Sequence, residues 1–153
     1  MAAKTSAIQI RSFRARDLPR ILAVERATFA RDAYTARMFR DLHRDCAGLF
    51  FVATRLRRIA GYVVTCADSK QAEIVSIGVD PDYQNSGIGT RLMERTLIEL
   101  SKRKIARLYL MVRATNAIGA RFYRRFGFRS AGRVARYYED DVDGIRMKKI
   151  LGV

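Results

Sequence analysis

The segment Ile77-Gly-Val-Asp-Pro-Asp-Tyr-Gln-Asn-Ser-Gly-Ile-Gly-Thr-Arg-Leu-Met93 decides the fold, because its periodicity changes from strand to helix across a loop. A β-branched apolar run occupies residues 74–79, and apolar residues recur at helical spacing over residues 92–100. Gly87 and Gly89 lie where the chain turns into that helix. The first N–H groups of a helix have no intrahelical partner, and the helix dipole is positive there. The pattern therefore predicts a strand, a tight loop and an anion-binding helix start.

The loop differs from the common nucleotide-binding loops. Its spacing is not that of the Rossmann fingerprint, and it lacks the Lys-Ser/Thr pair of a P-loop, so a nucleoside triphosphate is disfavoured. We expect the N–H groups of Ser86 to Thr90 to converge on one anion. The alternative is that Gly87 and Gly89 only make a tight turn.

Composition predicts one folded domain over residues 1–153, because 49% of the residues are hydrophobic and only two are proline. The net charge is +15, which favours an anionic ligand or a ribosomal or nucleic-acid surface, with a solvated basic exterior as the alternative. The N-terminus has no long apolar run, so we expect no signal peptide and no membrane span, and a cytoplasmic protein.

The two cysteines lie far apart in the sequence, at Cys46 and Cys66, and neither belongs to a metal-binding motif. We therefore expect no metal site and two buried free thiols in a reducing compartment. His43 is the only histidine, and a lone histidine on a helix edge is more often structural than catalytic.

The periodicities predict the element order β-α-α-β-β-β-α-β-α-β-β, a mixed α/β sheet. Three strands follow one another before the first β-α-β crossover, so the fold is not doubly wound. Asp17 and Asn116 are expected to cap helices. The last two strands are expected over Ser130 to Tyr138 and Ile145 to Leu151.

Two buried helical stripes are also expected. One comprises Met38, Phe39 and Leu42, and the other comprises Ile118, Phe122 and Phe126. Gly127 suits the left-handed position after the second of these helices, and Gly61 suits a bulge or a close backbone approach within a strand.

Three motifs resemble those of one family. Gln84-x-x-Gly-x-Gly89, placed after Val79-Asp-Pro-x-Tyr83, resembles the acyl-CoA pyrophosphate loop of the GNAT N-acetyltransferases. The segment from Asn116 to Phe128 resembles the second signature of that family. The closing segment from Tyr137 to Met147 is similar to the protein N-terminal acetyltransferases, and the resemblance is closest to the ribosomal-protein alanine N-acetyltransferases of the RimI type.

The resemblance implies the GNAT acyl-CoA N-acyltransferase fold and acetyl-CoA as cosubstrate, without a metal. It implies that the backbone of Ile77, Gly78 and Val79 pairs with the pantetheine arm. It implies that Asn116 hydrogen-bonds the pantetheine and that Tyr123 protonates the CoA sulfur. The pyrophosphate would be held by the loop residues, which are Gln84, Asn85, Ser86, Gly87, Ile88, Gly89 and Thr90.

The acceptor side departs from the family pattern. Tyr137 and Tyr138 would line the acceptor groove, but Met111 stands where the RimI type carries a glutamate base, and methionine cannot accept a proton. Glu73, on the neighbouring strand, is one replacement, acting through water. The other is that an α-amine, with a pKa near ~8, is already partly neutral at about pH 7.

The leading hypothesis is an acetyl-CoA-dependent N-acetyltransferase acting on the N-terminal α-amine of a protein, with a ribosomal protein as the first candidate. The alternatives are a small-amine or lysine acetyltransferase, and an impaired module that binds CoA or RNA. Each site residue also has a plain structural interpretation. Tyr123 would be a core aromatic, Asn116 a helix cap, and Glu73 a solvent-facing strand residue.

Overall fold

The computed structural model describes residues 7–46 and 48–152, which divide into two compact units. The first unit contains the described residues up to Cys66 together with Ser76–Glu99. The second contains Ala67–Val75 together with the described residues from Leu100 onward. Each unit is described below by itself.

The order of the described helices and strands is the one that the sequence predicts, so that prediction is confirmed. Their bounds are β1 Ile8–Ser12, α1 Leu18–Phe29, α2 Ala36–Asp45, β2 Phe50–Arg55, β3 Arg58–Ala67, β4 Gln71–Val79, α3 Ile88–Lys102, β5 Arg107–Arg113, α4 Ala117–Arg125, β6 Arg129–Val134 and β7 Gly144–Ile150.

The sheet of the first unit has the order β1-β2-β3-β4. Strands β1 and β2 pair antiparallel, and so do β2 and β3. The register between β2 and β3 shifts after Ala53, which pairs with Gly61. A Cβ added to Gly61 would lie 2.8 Å from the carbonyl oxygen of Gly78. The close backbone approach predicted as one possibility for Gly61 is confirmed, whereas the extra residue of the bulge is its neighbour Ala60.

The core of the first unit is built from the apolar faces of α1, α2 and α3 and from β2 and β3. Its fully buried large side chains are Ile21, Phe39, Leu49, Phe51, Tyr62, Ile88, Leu92 and Met93. The stripe predicted for α2 is only partly right, because Phe39 is buried but Met38 is 43% exposed. Asp17 does not cap α1 with its side chain, because that carboxylate accepts the N–H of Arg14 and pairs with Arg11.

The prediction of two free thiols is wrong, because Cys46 and Cys66 form a disulfide within the first unit. Cys46 is the C-terminal cap of α2, and Cys66 lies near the end of β3. Their Cα atoms are 5.0 Å apart, inside the range that a disulfide requires. A separation of 20 residues gives no sequence signal for this contact.

The sheet of the second unit has the order β4-β5-β7-β6. The first half of β4 pairs parallel with β5, and β7 pairs antiparallel with both β5 and β6. Strand β6 is shorter than predicted, because the β6–β7 register shifts after Ser130 and the chain turns at Arg136 with a φ of +51°. Tyr137 and Tyr138 therefore lie in the loop before β7.

Helix α4 confirms two predictions and contradicts one. The Asn116 side chain caps it by accepting the N–H of Gly119, and Gly127 ends it with a φ of +90°. Ile118, however, is 79% exposed, and Phe122 is only half-buried. Gly119, Ala120, Phe122 and Tyr123 of the helix are all half-buried.

Candidate active site

The glycine loop, residues Gln84–Thr90 of the first unit, leads the chain from β4 into α3. Asn85 and Gly87 have φ values of +62° and +87°, and α3 begins at Ile88. The N–H of Arg91 donates to the carbonyl of Gly87 over 3.0 Å. The three amides before it, from Ile88 to Thr90, therefore precede the first intrahelical hydrogen bond, and the first turn has no acidic residue.

The side of Gly87 where a side chain would stand is open, since a Cβ added there would meet no atom within 4 Å. The loop is held from its other end by two side chains. The hydroxyl of Ser86 donates to the carbonyl of Tyr83, and the amide of Gln84 donates to the carbonyl of Val79 over 3.3 Å. Amides without an intrahelical partner, in a first turn that has no acidic residue, fit a phosphate group.

An ion pair fixes the turn between β4 and the glycine loop. The guanidinium of Arg20 pairs with the carboxylate of Asp80 and donates to the carbonyl of Ile59 over 3.0 Å. Asp80 also accepts the N–H of Asp82 over 2.9 Å. Burial would raise the pKa of Asp80, but this N–H and the Arg20 guanidinium lower it below its ordinary value.

The end of β4 is supported by a buried tyrosine. A Cβ added to Gly78 would lie 2.9 Å from Cε1 of Tyr62, so only glycine fits against that ring without a shift. The Tyr62 hydroxyl donates to the carboxylate of Glu25 and lies 3.0 Å from the hydroxyl of Ser76.

Glu25 completes this buried network. Its carboxylate is 1% exposed and accepts hydrogen bonds from Ser76 over 3.1 Å and from the N–H of Tyr34 over 2.9 Å. Burial raises the pKa of Glu25, although the N–H of Tyr34 and the hydroxyl of Ser76 partly oppose the shift. The sequence gives one signal for this residue, since Glu25 lies four residues after the buried Ile21 on α1.

In the second unit, one face of β5 brings several of the predicted site residues together. Leu108, Leu110 and Val112 are buried, whereas Tyr109 and Met111 between them are only half-buried. Glu73 of β4 pairs in register with Tyr109, and both lie on this less buried face.

Met111 packs toward the loop that carries the two tyrosines. A Cβ added to Gly144 would lie 2.8 Å from Sδ of Met111 and 3.1 Å from Cβ of Tyr137. The rings of Tyr137 and Tyr138 are 4.9 Å apart in an edge arrangement. Gly144 thus leaves room for a contact between β5 and the predicted acceptor side chains.

Arg113 anchors Tyr138. Its guanidinium lies over the Tyr138 ring, 4.5 Å from the centroid, and pairs with the carboxylate of Asp140. Burial raises the pKa of the Tyr123 hydroxyl, and the hydroxyl of Tyr138 adds to the shift. Tyr123 therefore keeps its proton at neutral pH, and its ring lies 5.8 Å from that of the buried Phe128.

The predicted site residues therefore fall into two groups. The strand end Ile77–Val79 and the loop Gln84–Thr90 lie in the first unit. Five residues lie in the second unit with their surroundings as described above, and these are Glu73, Asn116, Tyr123, Tyr137 and Tyr138. The side chains that sequence reasoning missed are those that depend on packing or register, namely Arg20, Glu25 and Tyr62.

Two further findings concern ligands and membranes. Within residues 7–46 and 48–152, no cluster of three or more His, Cys, Asp and Glu side chains could hold a metal ion. No helix in the same ranges has the length and apolar character needed to cross a membrane.

The class of protein follows from this fold and from a family comparison. The model of the acetyltransferase (GNAT) family matches residues 11–128, and the chain belongs to that family. An uncharacterized N-acetyltransferase of Methanocaldococcus jannaschii is 32% identical over 145 residues, which is 92% of this chain and 90% of the relative.

Other relatives and solved structures have more particular names. The ribosomal protein bS18 alanine N-acetyltransferase of Escherichia coli K12 is 38% identical over 96 residues, or 63% of this chain. The chain thus matches 64% of that relative's length. The solved structure of the Escherichia coli ribosomal-protein-S18-alanine N-acetyltransferase superposes with a TM-score of 0.87 at 30% identity, covering 96% of each chain. Ard1 from Thermoplasma volcanium gives a TM-score of 0.91 at 27% identity, covering 96% of this chain and 99% of its own.

Proposed function

We propose that this protein is an acetyl-CoA-dependent N-acetyltransferase whose acceptor is the N-terminal α-amine of a protein, with a ribosomal protein as the first candidate. The observation that carries the proposal is the glycine loop, where Gly87 leaves open space and the amides of Ile88 to Thr90 precede the first intrahelical hydrogen bond of α3. Family membership and the named N-terminal acetyltransferases among the relatives support the reaction type and the acceptor class.

Binding of the cosubstrate falls to the backbone of the first unit in this proposal. Bound acetyl-CoA supplies an acetyl thioester, which is an electrophile for an amine. The amides of Asn85 to Thr90 hold its pyrophosphate, and the strand end Ile77–Val79 offers backbone groups to its pantetheine arm. Asn116 keeps its role as a cap and presents the rest of its amide to the same arm.

Proton transfer falls to side chains of the second unit in this proposal. The amine nitrogen bonds to the acetyl carbon, the carbon–sulfur bond breaks, and the sulfur leaves as a thiolate. Glu73 receives the proton lost by the amine, through a water molecule. Tyr123, which stays protonated because its pKa is raised, donates its proton to the departing sulfur. Tyr137 and Tyr138 line the path of the acceptor.

The test measures free thiol released from acetyl-CoA in the presence of peptides with free or blocked N-termini. We expect release only with free N-termini, and mass spectrometry should locate the acetyl group on the α-amine. Acetylation of lysine side chains in blocked peptides, or of small amines alone, would reject the acceptor class. Binding of acetyl-CoA without any transfer, seen as a raised melting temperature, would favour a CoA-binding module.

The Glu73→Gln variant tests the base. The proposal expects kcat/KM with a free N-terminus to fall at least about tenfold and the pH dependence of kcat/KM to change shape. The matched control is Glu139→Gln, which removes the same charge from an exposed loop position. An unchanged pH profile in Glu73→Gln would reject Glu73 as the base. It would favour the alternative, in which an α-amine that is already partly neutral reacts without a base.

A further inference from the structure

Arg146 lies on the candidate acceptor face, which is the less buried face of β4, β5 and β7 that carries Glu73, Tyr109 and Met111. It lies on β7 directly opposite Met111 of β5, and residues opposite each other in an antiparallel pair share a face. Its guanidinium lies over the ring of Tyr109, 4.3 Å from the centroid. Arg146 is exposed, and Tyr109 is the register partner of Glu73. Arg146 is therefore separated from the predicted base, Glu73, by the single strand β5.

The charges around Arg146 are unbalanced. Asp140 is paired with Arg113, and Asp143 is paired with Arg133. Among the residues that the structure describes, no carboxylate lies within 4.0 Å of the Arg146 guanidinium. Lys148, two residues along β7, pairs in register with Tyr109 and adds a second positive charge to the same face.

The contact with Tyr109 holds the guanidinium by its position over the ring. With its central carbon 4.3 Å from the ring centroid, the group makes a cation–π contact, and its five N–H donors lie in its own plane. A carboxylate matches two such donors with parallel, charge-assisted hydrogen bonds. The contact with the ring also restricts the side chain in advance, so less entropy is lost when a carboxylate binds.

We propose that Arg146 is a specificity-determining residue that receives an acidic side chain from the first three residues of the acceptor, and this inference rests on the proposed function. Glu73 and Arg146 lie on the two strands that flank β5. Arg146 lies two residues along β7 from Lys148, which is the residue across β5 from Glu73, so the two backbones are roughly 12 Å apart. About three residues of an extended peptide, together with the reach of their side chains, cover that distance. An acceptor with a cationic amine and a nearby carboxylate matches a face that carries Glu73 at one side and Arg146 at the other.

Four peptides that share one length and one C-terminal sequence test the proposal. Three of them carry a single Asp, at position 1, 2 or 3, with Asn at the other two positions, and the fourth carries Asn at all three positions. Binding in the presence of CoA is measured by calorimetry, and kcat/KM is measured by thiol release. We expect wild-type protein to prefer the best Asp peptide over the Asn peptide by about tenfold, in both measurements.

Three variants separate the role of Arg146 from general charge. Arg146→Gln should reduce the preference to less than about twofold, and Arg146→Lys should keep part of it, because a lysine retains the charge but not the planar fork. Arg103→Gln removes the same charge from an exposed position outside the site and should leave the preference unchanged.

The outcomes distinguish the two proposals. Equal use of Asp and Asn peptides by the wild type, or an unaltered preference in Arg146→Gln, overturns the role of Arg146 and leaves the proposed function intact. A binding preference that depends on Arg146, with no acetyl transfer to any peptide, supports the role of Arg146 and overturns the proposed reaction. A preference lost equally in Arg103→Gln assigns the effect to net charge and overturns the proposal.

Discussion

The glycine loop and the acceptor face differ in which part of the chain supplies their chemistry. In the loop, backbone amides from Ile88 to Thr90 provide the donors, and side chains only hold the backbone in place. On the acceptor face, the groups that can bind or exchange protons are side chains that three strands and a loop place together.

The supports of the two regions differ in the same way. Behind the loop and the end of β4 lie a buried hydrogen-bond network and an ion pair. The acceptor face instead carries half-buried and exposed side chains that contact one another through rings and cations. Substitutions in the first region should therefore change stability and cosubstrate binding, and substitutions in the second should change turnover.

The largest effect is expected from Glu25→Ala. The change leaves a cavity and removes the acceptor for the Tyr62 hydroxyl and the Tyr34 N–H, so the free energy of unfolding should fall by about 4 kcal/mol. Urea denaturation followed by circular dichroism measures it. Ser76→Ala, which removes one member of the same network, should cost only about 1 kcal/mol. Similar losses in the two variants would mean that Glu25 is not the centre of the network.

Tyr123→Phe tests the opposite region. Because only the departing thiolate requires the hydroxyl, kcat should fall about 100-fold while the KM for acetyl-CoA and the melting temperature stay nearly unchanged. Steady-state kinetics with a free N-terminal peptide provide the measurement. Tyr137→Phe removes a hydroxyl from an exposed ring that is proposed to line the path of the acceptor, so it should change the KM for the peptide more than kcat. Full activity in Tyr123→Phe would remove this residue from the mechanism.

Asp80→Asn should change both the stability of the fold and the binding of acetyl-CoA. It breaks the ion pair with Arg20, at a cost of about 2 kcal/mol in stability, and loosens the turn that leads into the loop. The KM for acetyl-CoA should therefore rise more than that for the peptide. Asp82→Asn is the matched control, since its N–H still donates to Asp80. An equal rise in both variants would trace the effect to charge near the loop.

The smallest effect concerns pH. Because burial raises the pKa of Glu25 in the folded state, the folded protein binds its proton more tightly than the unfolded chain. The stability from this group is complete below the ordinary glutamate pKa of about 4.3, and it is lost as pH rises through the folded value. The unfolding free energy of the wild type minus that of Glu25→Gln should therefore fall as pH rises, because only the wild type titrates at this position. A difference that rises with pH would contradict this sign.

Much of the first region could be predicted from the sequence, because its function depends on local backbone geometry. Two glycines at a strand-to-helix change predict the loop, and Gly87 indeed has a positive φ. The element order follows from periodicity, and the cap at Asn116 and the left-handed Gly127 follow from residue type. The exposed Ile118 shows the limit, since spacing alone does not say which flank of an amphipathic helix meets the sheet.

The tertiary structure decided what depends on contacts between distant residues. The disulfide joins cysteines 20 residues apart, and neither position has a local signal for it. Strand β7 inserts between β5 and β6, which places Arg146 opposite Met111 and over Tyr109. The sequence alone determined the order of the helices and strands and the position of the glycine loop, because each depends on residues that are neighbours in the chain. Pairing and register come from burial and sheet hydrogen bonding over the whole fold, so only the structure shows which side chains share a face.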